Sequence, residues 1–148
     1  MNFKRRLKKL SVLIETDILL ALISPGDRHH ADVVRLLDRL LGEVKISPYS
    51  FIELNLLLKS KGIIVREVTA FYKALSDLLN YRAIRTFSIK PEYHSEAFRL
   101  REKYEFLTYF DSLHAAVGIV ENLEMISYDK EYAKITELKY SHPDKYTG

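Results

Sequence analysis

The stretch SVLIETDILLALISPG, residues 11–26, changes character at its centre. Ser11 to Glu15 (SVLIE) is a short, almost continuous apolar run, the pattern of a parallel strand buried on both faces. TDILLALISPG then reads as a short helix closed by Pro25-Gly26. A strand that hands directly to a helix is the repeating unit of a parallel sheet covered by helices.

The same alternation recurs along the chain. From His29 to Leu41, Ala31, Val34, Leu37 and Leu41 repeat at helical spacing, and Gly42 is placed to end the segment. Val44 to Ser47 reads as a second strand. Pro48 suits the first turn of a helix that YSFIELNLLLKSKG continues to Gly62, with Val65 to Tyr81 as its antiparallel neighbour. Ala83 to Ser88 predicts a third strand, Pro91 opens a helix through Tyr104, Tyr109 to Asn122 form another, and Glu124 to Tyr128 a fourth strand. No linker, repeat or low-complexity segment interrupts this order. The predicted class is α/β: a three-layer α/β/α sandwich with a mainly parallel central sheet, one domain over residues 1–148 with a basic N-terminal extension at 1–10.

Composition agrees with a globular chain: 148 residues, 47% hydrophobic, 29% charged, and only 5 Gly and 4 Pro. The net charge of +3 permits a polyanionic partner without demanding one. Lys4, Arg5, Arg6, Lys8 and Lys9 crowd the N-terminus, as a phosphate-contacting arm or a solvated tail would. The absence of Cys excludes disulfides and thiolate metal sites, and a reducing cytosol is the simplest home. Glu15 and Asp17 interrupt the first apolar run, and no stretch approaches the roughly 20 residues needed to span a bilayer, so a soluble, cytoplasmic chain is expected.

In such a sheet, sites form beyond the C-terminal ends of the strands. Glu15 and Asp17 follow the first strand, Asp129 follows the fourth, Asp111 opens a helix, and Glu53 lies inside the helix after the second. Glu53 has Tyr49, Leu56 and Leu57 as helical neighbours and no Lys or Arg at i+3 or i+4, so its carboxylate needs some other partner or water. Capping explains each of Asp17, Asp111 and Asp129 taken alone. Together, the acids would form a cluster whose mutual repulsion requires a cation, and oxygen-only ligation suits Mg²⁺ or Mn²⁺.

The segments LIETDILLALI, SPYSFIEL, TYFDSLHAAVGI and ISYDKEY, in that order, resemble the acidic motifs of PIN domains, over about Leu13 to Ile135 and particularly the VapC-type toxin ribonucleases of toxin–antitoxin modules. The resemblance implies a metal-dependent nuclease in which Glu53, Asp111 and Asp129 match the second, third and fourth acidic positions. At the first, members usually carry Asp-Thr-Asn, whereas this chain has Glu15-Thr16-Asp17. The longer Glu15 therefore takes the usual Asp place, and Asp17 is a candidate to join the ligands.

The implied catalytic set is Glu15, Glu53, Asp111 and Asp129, with Asp17 added as a metal ligand. Thr16 and Ser112 could support metal waters or simply cap helices. His114 could donate to a phosphate, orient a carboxylate, or pack against the sheet. Arg28, Lys130 and Lys134, with a Tyr such as Tyr104 or Tyr109, are candidates for gripping single-stranded RNA. The expected function is thus a Mg²⁺- or Mn²⁺-dependent endoribonuclease, a toxin held by an antitoxin protein. A homodimer through the helical pair at 49–81 is also compatible. The competing classes are a catalytically weak RNA-binding or assembly module and a phosphoacceptor receiver domain.

Overall fold

The computed structural model describes residues 11–147, so the basic cluster from Lys4 to Lys9 lies outside the described residues. Strands β1 (Val12–Ile14), β2 (Val44–Ile46), β3 (Arg85–Thr86), β4 (Glu124–Ile126) and β5 (Tyr140–Ser141) form a sheet of order β3-β2-β1-β4-β5, parallel throughout. Helices α1 (Thr16–Ile23), α2 (His30–Arg39), α3 (Tyr49–Lys59), α4 (Val68–Tyr81), α5 (Pro91–Lys103) and α6 (Tyr109–Glu121) cover it, and α7 (Asp144–Thr147) ends the described chain. A short 3₁₀ helix, Lys130–Lys134, follows β4.

β1 is central because all three of its residues are buried and it pairs on both edges, with Ile14 opposite both Ile46 and Ile126. Its side chains alternate between two cores, as a period of two requires. Val12 and Ile14 join Ile18, Val33, Leu36, Leu54 and Leu75 on one face, while Leu13 joins Tyr93, Leu100, Ala116 and Met125 on the other. Helices α1, α2 and α4 bury their apolar stripes in the first core, α5 and α6 in the second, giving the three layers read from the sequence. The chain builds outward from β1 through β2 to β3, then returns to place β4 on the other side of β1. The order therefore reverses between β1 and β4, the point at which open α/β sheets leave a crevice beyond the strand ends.

Three details depart from the sequence reading. The third strand shrinks to Arg85–Thr86 because it pairs only with the last residues of β2. A fifth strand, β5, adds to the far edge beside β4; it is two residues long and half-buried, held by its pairing with β4 and by Tyr140, which packs on the second core and donates to the Ser127 carbonyl at 2.8 Å. Helix α3 stops at Lys59, and Lys61 rather than Gly62 takes the left-handed turn, at φ 62°.

Candidate active site

Glu15 is the first residue beyond β1 and caps α1, its carboxylate accepting from the Asp17 backbone N–H at 3.4 Å. Its side chain is buried. Asp17 Oδ2 accepts from the Tyr128 N–H at 2.7 Å and lies 3.0 Å from Ser127 Oγ, which is also 3.1 Å from Glu15 Oε1. One hydroxyl hydrogen thus serves two carboxylates. Asp17 Oδ1 is buried with no partner among the described residues. Burial pushes the Glu15 carboxyl well above the ordinary range, and its contact with the Asp17 side chain and the charges of Asp17 and Glu53 push it further.

Glu53 projects from α3 and is only half-buried, yet it is not left to water. The Thr16 hydroxyl and His114 Nε2, the latter at 2.9 Å, both meet its Oε1. These are the partners that the helix itself lacked. Burial raises the Glu53 carboxyl, but the bonds from His114 and Thr16 outweigh it and hold the group below its ordinary value. His114 is fully buried, with Nδ1 2.7 Å from Ser47 Oγ at the end of β2. A carboxylate oxygen only accepts, so the ring carries a proton on Nε2 and acts as donor to Glu53. Of the roles open to His114, the structure shows the carboxylate-orienting contact.

Asp111 stands in the first turn of α6 and is not its cap; Thr108 takes that place, its hydroxyl accepting from the Asp111 N–H at 3.2 Å. The Asp111 carboxylate is therefore free to accept from the Tyr132 hydroxyl at 3.3 Å. Asp129 does cap the 3₁₀ helix, through Glu131 N–H at 3.0 Å. Tyr132 shows how the acids converge. Burial drives its phenol well above the ordinary value, and the charges of Glu15, Asp111, Asp17 and Asp129 add to the rise. The Ser112 hydroxyl donates to the Tyr109 carbonyl and accepts from Arg101 Nη1, both at 2.6 Å.

Glu15, Glu53 and His114 bring ligand-type atoms within 4.8 Å of one another, a group that can hold a metal ion. With the His114 proton directed at Glu53, the carboxylates are the better donors. Crowded acids and the partnerless Asp17 Oδ1 are what a cation would relieve, so the residues fit one. Sequence reasoning missed Ser47, Ser127 and Tyr132. The two serines obey the strand-end rule that found Glu15, and it could have found them; nothing in KEYAKI marks Tyr132 as different from an ordinary core residue.

A parallel α/β sheet with carboxylates gathered at its switch point defines the class of protein. The PIN domain family model matches residues 12–138, and the chain belongs to the PIN-domain family. Among solved structures, the fold is similar to a chain of VapBC2 from Rickettsia felis, crystallised with a promoter DNA fragment (TM-score 0.71, 16% identity, covering 88% of this chain and 97% of that one). It is also similar to the sarcin–ricin-loop-cleaving toxin VapC20 from Mycobacterium tuberculosis (TM-score 0.67, 17% identity, 85% and 95% covered). A toxin–antitoxin complex from Klebsiella pneumoniae supplies a third (TM-score 0.64, 19% identity, 90% and 98% covered). A search of curated proteins gave no match.

Proposed function

We propose that this chain is a divalent-metal-dependent endoribonuclease that hydrolyses single-stranded RNA, and the toxin of a toxin–antitoxin pair. The observation that carries the reading is the gathering of carboxylates at the strand ends: Glu15 and Glu53 bring ligand atoms within 4.8 Å of each other beside His114, and Ser127 lies within hydrogen-bond distance of both Glu15 and Asp17. The toxin assignment draws on the similar structures, described as a cleaving toxin and as toxin–antitoxin complexes. A cysteine-free chain is compatible with the cytosol. The unit is taken as one domain, with residues 1–10 as a basic extension.

Glu15, Asp17, Glu53, Asp111 and Asp129 would hold Mg²⁺ or Mn²⁺, since hard oxygen donors suit these ions. When bound, such an ion supplies an activated water and neutralises charge on the phosphate. Glu15, Glu53, Asp111 and Asp129 are the catalytic set. Thr16 and His114 fix Glu53 by two donors on one oxygen. Tyr132 fixes Asp111, and Ser127 with the Tyr128 N–H fixes Asp17. No side-chain nucleophile is required.

A second reading, an RNA-binding module with weak catalysis, is favoured by one feature: Glu15 is buried and its charged form disfavoured. Both are tested by incubating mixed-sequence single-stranded RNA with Mg²⁺ or Mn²⁺, for wild type and Asp111→Asn, with EDTA as control. Metal-dependent cutting that falls by more than roughly 100-fold in the variant supports the nuclease. Folded but inactive wild type that takes up no metal supports the binding module.

A further inference from the structure

Near its C-terminal end, α5 carries three cations with different fates. Arg99 pairs with Glu96 and, at 2.8 Å, with Glu137; Lys103 pairs with Glu137 at 3.4 Å. Arg101 has no carboxylate within ion-pair distance among the described residues. Its Nη1 donates to Ser112 Oγ at 2.6 Å, and its guanidinium lies 5.1 Å from the centre of the Tyr109 ring. Ser112 has already given its proton to the Tyr109 carbonyl, so it meets Arg101 as an uncharged acceptor. A hydroxyl and an aromatic face orient the guanidinium without neutralising it.

This cation is held by the same first turn of α6 that carries Asp111. Tyr109, at the start of that turn, is 55% exposed although large and aromatic. Of the other candidates for gripping RNA, Lys134 and Tyr104 are tied to the carboxylates of Glu131 and Glu137, whereas Arg28 meets only the neighbouring His29 ring and Lys130 has no ion pair among the described residues. A polyanion entering a cluster of carboxylates meets repulsion, and an oriented, unneutralised guanidinium beside the cluster offsets it. Guanidinium forks take phosphate through two N–H donors, and unstacked bases of single strands settle on aromatic and guanidinium planes.

We propose that Arg101 and Tyr109 form a nucleotide subsite for single-stranded RNA beside the acidic cluster, with Arg101 on the phosphate flanking the cleaved bond and Tyr109 against the adjoining base. The proposal rests on the ribonuclease reading and adds the binding residues that it lacks. Ser112 is then a positioning residue for Arg101, which gives its buried hydroxyl a purpose outside the metal site.

The test uses a short fluorescein-labelled single-stranded RNA of mixed sequence, titrated by anisotropy with Mg²⁺ present against Asp111→Asn protein, so that binding is read without cutting. Adding Arg101→Gln is expected to weaken binding roughly 10-fold and to reduce the slope of log affinity against log salt by about 0.7, the share of one phosphate on a single strand. Arg101→Lys keeps the salt slope but not the full affinity. Tyr109→Ala weakens binding to a similar degree with the slope unchanged. In otherwise wild-type protein, Arg101→Gln raises KM with little change in kcat. Should Arg101→Gln melt early, the exposed Tyr109→Ala variant carries the test alone. Affinity and slope equal to those of the Asp111→Asn parent in both variants overturn the subsite, while metal-dependent cleavage by wild type leaves the ribonuclease standing. Wild type that neither binds nor cuts the RNA overturns both.

Discussion

His114 stands between Ser47 and Glu53, with Nδ1 2.7 Å from one and Nε2 2.9 Å from the other, and its ring is wholly enclosed. The contact ties the end of β2 to an acid on α3 through a residue of α6, so three elements agree on where the Glu53 carboxylate sits. Such outer partners of catalytic carboxylates are worth about 10–100-fold in metal affinity or activity. Ser47→Ala removes one hydroxyl and is expected to cost about 1 kcal/mol of stability. Its metal-dependent RNA cleavage should fall roughly 10-fold, mainly in kcat. His114→Ala should lose more of both. Cleavage at the wild-type rate by a folded His114→Ala protein would reduce the ring to packing.

The Tyr132 hydroxyl makes a parallel case from the other side of the site. It is enclosed, reaches Asp111 at 3.3 Å, and sits in the field of four carboxylates. Tyr132→Phe keeps the ring and the packing, so the melting temperature should shift by no more than the equivalent of about 1 kcal/mol. Asp111 loses its donor, and activity should drop by about 10-fold. Isothermal titration with Mn²⁺ checks the route: affinity should weaken with the activity, and unchanged affinity and rate would remove Tyr132 from the site.

Crowding of acids predicts a third result. Glu15 is buried against Asp17 and near Glu53, and its charged form is disfavoured there. Without metal, the fold bears this repulsion. Glu15→Gln keeps the shape and removes one charge, and is expected to raise the melting temperature of the metal-free protein by relieving that repulsion. The same change should abolish most of the rise in melting temperature that Mg²⁺ or Mn²⁺ gives wild type. Thermal melts with EDTA and with each ion decide it. A wild-type metal response in Glu15→Gln would exclude Glu15 from the ligands.

What the sequence could and could not reveal follows from the range of each interaction. β1 was legible because a buried parallel strand writes itself as an uninterrupted apolar run, VLI, whereas β2 (VKI) and β4 (EMI) each carry a charged residue and were legible from their place in the alternation of strands and helices. β5 was not, since Tyr140 and Ser141 owe their conformation to an edge supplied by β4. Glu53 could be singled out by its own helix, where no neighbour neutralises it. Its partners Thr16 and His114 lie 37 and 61 residues away, and no local pattern reaches them. Asp111 was ambiguous between cap and site because a capping Asp and a first-turn Asp differ by three residues. Thr108 resolves the choice only once its hydroxyl is seen to accept the Asp111 N–H.

Acid stability gives a test away from the acidic cluster. Glu137 accepts from the Tyr104 hydroxyl, from Arg99 at 2.8 Å and from the Thr136 hydroxyl at 2.8 Å, joining α5 to the segment before β5. The Tyr104 bond is the first cause that lowers its carboxyl; burial opposes, and the Arg99 and Thr136 bonds lower it further, so the group is held well below the ordinary range. The sign follows from linkage. A carboxyl with a depressed folded-state pKa adds stability above its unfolded value, about 4.3 for Glu, and loses that stability as pH falls from there toward the folded value. Its side chain is 25% exposed, so solvent screens part of the effect, and Glu137→Gln is expected to cost about 1 kcal/mol at neutral pH. Urea unfolding of both proteins at pH 7 and near pH 3 measures it. The gap should shrink at acid pH; an equal gap at both would mean that Glu137 stabilises through contacts that the amide loses at any pH, and not through its charge.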